Sequence, residues 1–184
     1  MQGTQKHIVD SARRLFSEYS YLGVSMNDIA KRLNITKAAL YYHFTSKTDI
    51  YRKVLDEVFD DLRSTITQAL NEATVDKQLH RLIRNYLDFG IREKNLIRAL
   101  MLKLSPADSP ITKYISQLRE RIANLIQPVI EEALASKEPT KEVDGGLLTF
   151  LLTSMMDGLL LEYSFLNKKI NSASVSNQII AVVF

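Results

Sequence analysis

The chain has 184 residues, 46% hydrophobic and 24% charged, with a formal net charge of +3, enough for one or two compact domains and without low-complexity tracts. It contains no cysteine, which excludes disulfides and thiolate metal sites and fits a reducing cytoplasm. Six glycines and four prolines among many Leu, Ala, Lys and Glu favour an all-α protein.

Charge is unevenly placed. Residues 1–50 hold seven Lys/Arg (Lys6, Arg13, Arg14, Lys31, Arg32, Lys37, Lys47) against four acids (Asp10, Glu18, Asp28, Asp49), so the whole excess lies there. The remaining 134 residues balance at 17 against 17. A basic module joined to a neutral one suits a DNA-binding domain followed by a sensing domain.

No apolar signal-peptide core opens the chain. The first helix is expected from Thr4 to about Ser20, with Ile8, Ala12, Leu15, Phe16 and Tyr19 on its inner stripe. Lys6, Arg13 and Arg14 project outward. A short helix follows: Ser25 and Asp28 form a capping box, and Met26, Ile29, Ala30 and Leu33 keep helical spacing. Asn34 sits where a left-handed residue would end that helix. Thr36 then has the chemistry of an N-cap for Lys37-Ala38-Ala39-Leu40-Tyr41-Tyr42-His43-Phe44. Alone, this stretch could be an amphipathic helix whose aromatic residues cap a small core. With the preceding helix and tight turn it reads as a helix-turn-helix, whose second helix enters the major groove.

Residues from about Thr4 to Tyr51 resemble the N-terminal domain of the TetR/AcrR family of transcriptional regulators. The matching residues are Ile8, Ala12, Leu15, Phe16, Ser25, Ile29, Ala30, Ile35, Leu40, Tyr41, His43, Phe44, Lys47 and Ile50, with Leu40-Tyr41-Tyr42-His43-Phe44 the most specific run. Ser20 and Asn34 stand where that family usually has glycine. The resemblance implies a three-helix DNA-binding domain over residues 1–46 and a helical effector-binding and dimerisation domain over 47–184. Lys37, Tyr42 and Asn27 are candidates for base contacts. Ser25, Thr36, Tyr41, His43 and Lys47 are candidates for phosphate contacts, Lys47 because the family places one there. Ala38 and Ala39 are small enough for close approach to the groove.

Ser46 and Asp49 make a second capping box, opening a long helix to about residue 72 that carries Tyr51, Val54, Leu55, Val58, Phe59, Leu62 and Ile66 inward. It is the expected mechanical link between domains. Further helices are expected near Asp76–Phe89 and Glu93–Leu104, then from Pro110 to about Ala135, with Ser109 as N-cap and a kink at Pro128. The segment from about Lys141 to Asn167 is the most apolar helix, expected to bury one face in its own domain and another against a second subunit. Its apolar run, Leu147 to Leu161, looks too short to span a bilayer and contains Asp157. A last helix starts near Val175.

Enzymatic readings find little. There is no Gly-rich phosphate loop, nucleophile elbow or His-Glu-x-x-His, and His7 with Asp10 reads as solvated surface. Asp157 and Glu162 are either hydrogen-bonded at a helix junction or dimer seam, or counter-charges for a cationic ligand. Methionines at helical spacing are usually core filler, but the resemblance implies an effector among the C-terminal helices. The candidate lining is Tyr86, Phe89, Met101, Leu104, Tyr114, Leu118, Met155 and Leu159. The expected function is a cytoplasmic, homodimeric repressor that binds a palindromic DNA operator and is released by a small apolar or amphipathic effector. It needs no cofactor, metal or membrane. The alternative is an architectural DNA-binding protein without an effector.

Overall fold

A computed structural model describes residues 2–102, 109–136, 143–166 and 169–183. Every regular element among them is a helix: α1 (Gln2–Tyr19), α2 (Met26–Leu33), α3 (Lys37–His43), α4 (Lys47–Leu70), α5 (Val75–Arg92), α6 (Lys94–Leu102), α7 (Pro110–Ala135), α8 (Gly145–Leu166) and α9 (Ser172–Val183). The chain divides into two compact units. The first is Met1–Phe59 with Asn95–Gln117, and the second is Asp60–Lys94 with Leu118–Phe184. Helices α4 and α7 contribute to both.

The first unit is built on Ile8, Val9, Ala12 and Phe16 of α1, Ile29 of α2, Leu40 of α3, and Ile50, Val54 and Leu55 of α4, all at most 1% exposed. Tyr19 departs from the expected inner stripe and is 50% exposed. Ser20 explains the departure. Its φ of 63° is left-handed and turns the chain directly after Tyr19. The next residue, Tyr21, enters the aromatic cluster instead, with ring centroids 4.8 Å from Tyr51 and 6.3 Å from Phe16. Gly23 closes the same turn, where an added Cβ would lie 2.2 Å from the Tyr19 carbonyl oxygen.

In the second unit α5 lies against α8 and α9. It buries Leu79, Leu82, Ile83, Tyr86, Leu87 and Phe89. Gly90 allows the close approach to α8, since a Cβ there would collide with the buried Leu160. Asn85 donates to the Thr65 carbonyl of α4 at 3.1 Å. α7 opens as expected, the Ser109 hydroxyl accepting the Thr112 N–H at 3.1 Å, and continues through Pro128.

α8 bears on two expectations. Within one chain it buries one face through Leu152, Met156 and Leu160 and leaves Leu147, Phe150, Leu151 and Phe165 each at least half exposed, on the face expected to meet a second subunit. The second is corrected, because α8 is not too short to cross a bilayer. Gly145 and Gly146 before the apolar run and residues 162–165 after it extend the helix, and Gly145–Phe165 is long and apolar enough by length and composition. Such a helix also occurs in the core of globular bundles, and here the inner side is packed inside the second unit. There Thr149 and Thr153 hydroxyls are satisfied by carbonyls of their own helix.

Ser20 carries a testable strain. A left-handed backbone disfavours residues with a Cβ, and its buried hydroxyl meets no hydrogen-bond partner among the described residues. Ser20→Gly should raise stability by roughly 1 kcal/mol in urea unfolding, the relief of strain outweighing the added freedom of the unfolded chain. A lower stability would show that the turn is not strained at Ser20.

Candidate nucleic-acid interface

The helix-turn-helix is fixed by local hydrogen bonds. The Ser25 hydroxyl accepts the Asp28 N–H at 3.2 Å, and the Asp28 carboxylate accepts the Ser25 N–H at 2.8 Å, completing the capping box. The Ser25 side chain and backbone together hold Asp28 below the usual carboxylate range. At the other end of α2, Asn34 has φ 54° and ψ 42°. Its N–H reaches the Lys31 carbonyl and that of Ile35 reaches Ala30, both at 3.1 Å, so the last carbonyls are satisfied. Asn34 thus supplies the left-handed residue that glycine would. The Thr36 hydroxyl then accepts the Ala39 N–H at 3.1 Å and starts α3.

α3 anchors itself through Leu40, fully buried, and turns a broad face outward. On that face Lys37, Ala38 and Ala39 are exposed, Tyr41 is 46% exposed and Tyr42 75% exposed. An exposed tyrosine next to two alanines and a lysine gives no core packing, so this surface is available to a partner. The Lys37 ammonium sits 5.9 Å from the Tyr41 ring, and His43 packs edge-on to Tyr42 with centroids 5.2 Å apart. Asn27 is exposed on α2.

Two candidate phosphate donors are already engaged. The Ser25 hydroxyl proton is directed at the Asp28 carboxylate, 2.6 Å away. The Lys47 ammonium donates to the Tyr21 carbonyl at 2.8 Å and lies 4.2 Å from the Tyr21 ring. Its partial burial lowers its pKa. Two of its three protons remain for an outside acceptor. Sequence reasoning did not single out Tyr21, whose hydroxyl pairs with Thr48 at 2.8 Å. An aromatic residue directly after the turn was the available signal. Lys6 is exposed but engaged by Asp10 at 2.5 Å and Glu57 at 3.1 Å.

The candidate effector residues are not all brought together. Tyr86, Phe89 and Leu118 are buried in the second unit, with Leu159 half-buried on α8 and Met155 39% exposed on its outer side. Tyr114 belongs to the first unit, where its hydroxyl bonds Asp56 and Arg52 lies 5.2 Å from its ring. Leu104 and the side chain of Met101 lie outside the described residues. Asp157 accepts the Tyr86 hydroxyl at 2.7 Å and pairs with Arg119 at 2.5 Å, so its charge is neutralised within the protein. Burial, and then the Asp157 charge, push the Tyr86 pKa well up, which keeps it a donor. Glu162 is exposed.

Residues 8–54 match the family model of bacterial regulatory proteins, tetR family. The chain is 32% identical over 150 residues to the biofilm operon icaADBC HTH-type negative transcriptional regulator IcaR of Staphylococcus aureus strain Newman, covering 80% of this chain and 79% of that protein. The chain belongs to the TetR family of transcriptional regulators. Solved structures share the fold. FadR from Bacillus subtilis, in complex with stearoyl-CoA, superposes with a TM-score of 0.80 at 18% identity, over 96% of this chain and 95% of that one. AibR, in complex with isovaleryl coenzyme A and operator DNA, gives 0.75 at 18% identity, over 98% and 97%.

An exposed cation in the first turn of a helix that enters the major groove can reach a base edge, which sets an expectation for Lys37. Lys37→Ala should cost about 1–3 kcal/mol on operator DNA and less on random DNA. Equal losses on both, measured by fluorescence anisotropy, would assign Lys37 to the phosphate backbone.

Proposed function

We propose that the protein is a homodimeric, effector-responsive repressor acting in the cytoplasm on a palindromic DNA operator. The observation that carries the DNA-reading half is the exposed Lys37–Tyr42 surface on a helix held at both ends by local caps. In this reading Lys37, Tyr42 and Asn27 touch bases, and Thr36, Tyr41, His43 and Lys47 touch phosphates. Thr36 fits well, because its hydroxyl accepts within α3 and keeps its own proton for a phosphate oxygen. Residues 1–46 act as the DNA-binding domain, and residues 47–184 sense the effector and dimerise.

Dimerisation through α8 is supported by its outer face. Leu147, Phe150, Leu151, Gly158 and Phe165 recur at helical spacing and are exposed, and a stripe of this kind marks an interaction surface. Two recognition helices related by a twofold axis then meet successive major grooves. The effector lies among the helices of the second unit, near Tyr86, Phe89, Leu118 and Leu159. Because Arg119 already neutralises Asp157, the lining favours an apolar or amphipathic molecule over a cation. An acyl thioester is the leading candidate, since FadR and AibR are both seen with one. Occupancy favours a conformer with α4 displaced, altering the spacing of the recognition helices and weakening operator binding. It can do so only through different affinity for the two states.

Two measurements test this. Selection of bound sequences from random DNA at near-physiological salt should yield a palindromic consensus. Binding without enrichment would support the architectural alternative. Leu151→Glu replaces an exposed side chain, so the subunit should fold while sedimentation shows monomers. An intact dimer would move the interface away from α8.

A further inference from the structure

The outer side of α5 carries Lys77, Arg81 and Arg84, spaced so that all three lie on one helix face. α9 runs alongside and presents Ser176 and Asn177, leaving a cleft of about 320 Å³ between the two helices. That volume is at the small end for ligand sites, which run from roughly 300 Å³ upward. Tyr86 and Phe89 point to the opposite, buried side of α5, so this cleft is separate from the effector residues.

The cleft walls combine three cations with one carboxylate, Glu72. Lys77 has no carboxylate within ion-pair distance among the described residues, while Arg81 pairs with Glu72 at 2.7 Å and Arg84 with Asp88 at 3.7 Å. Both arginine side chains are more than half exposed. Ion pairs in such positions add little to folding, so an incoming anion can replace the carboxylates at small cost. Ser176 is 3% exposed, and its hydroxyl faces the His80 Nδ1 at 3.4 Å rather than a carbonyl of its own helix. The cleft thus sets a buried hydroxyl, a half-buried imidazole that also lies 3.9 Å from the Asp76 carboxylate, and an exposed amide beside three cations.

We propose that this cleft binds a small phosphorylated anion, with Lys77, Arg81 and Arg84 supplying charge and Ser176, His80 and Asn177 supplying hydrogen bonds. Bidentate guanidinium groups suit phosphate oxygens in particular. The probe is inorganic pyrophosphate, titrated into the full chain at constant ionic strength and followed by calorimetry and amide NMR shifts. The expected result is saturable binding that moves the amides of His80, Ser176 and Asn177. Lys77→Ala combined with Arg84→Ala should weaken it by about tenfold or more, with circular dichroism unchanged because both side chains are at the surface. Lys37→Ala should leave it intact. Wild-type affinity in the double variant overturns the proposal, as does the absence of saturation. Loss of binding in Lys37→Ala would place the anion at the DNA interface instead. Displacement of pyrophosphate from the cleft by random duplex DNA would assign the phosphate to nucleic acid, which also overturns a small-molecule site.

Discussion

The hydrogen bond from Lys47 to the Tyr21 carbonyl joins the start of α4 to the turn between α1 and α2. Around it, Tyr21 is held by the Thr48 hydroxyl and by Phe16 and Tyr51, whose rings meet edge-on with centroids 4.7 Å apart. Each contact is modest alone. Together they fix α4 to the element that leads into α2, and α2 in turn sets α3 through the Asn34 turn. Since α4 also enters the second unit, any displacement of α4 must either carry this clamp with it or break it. A partly buried lysine loses a charge-assisted bond if this contact opens, so α1 to α4 are expected to move as one body.

The sequence made the punctuation of the helices legible and their long-range contacts much less so. Ser25, Asp28, Asn34, Thr36 and Ser109 all act on backbone groups within four residues, and local chemistry of that kind is readable one window at a time. Lys47 and Tyr21 are 26 residues apart, and nothing in either window names the other. Tyr19 was misplaced for a related reason. Helical period alone puts it inside, but Ser20 turns left-handed immediately after it, and the aromatic role passes to Tyr21. A serine in place of the usual glycine hid a turn that glycine would have advertised.

The same limit governed α8. Composition shows an apolar helix but not which side a neighbour covers. That depends on where Gly90 admits Leu160 and where Asp157 finds Arg119, on helices far apart in sequence. The two readings left open for Asp157 could be separated only by its partners. With an arginine and a tyrosine hydroxyl on it, the carboxylate belongs to a helix junction, and Glu162 stays in solvent.

This junction constrains what an effector can do. Removing Arg119 would leave the mostly buried Asp157 carboxylate without its counter-charge, whereas the half-exposed Arg119 is well solvated without Asp157. An apolar ligand therefore gains nothing by separating Arg119 from Asp157, and would be accommodated by shifting the helices that carry them together. A ligand with an anionic or strongly polar head can instead compete for Arg119, whose side chain is 46% exposed. Tyr86, held protonated by burial, would then retain Asp157 as its acceptor. Under the proposed function, an amphipathic effector would be the kind able to couple its polar end to Arg119 of α7 and its apolar end to the buried residues of α5. The helix that carries Arg119 also carries Tyr114, whose hydroxyl bonds Asp56 of α4. Under the proposed function, a rotation of α7 toward a bound effector would strain that second bond, and α7 would then be the route by which occupancy reaches α4.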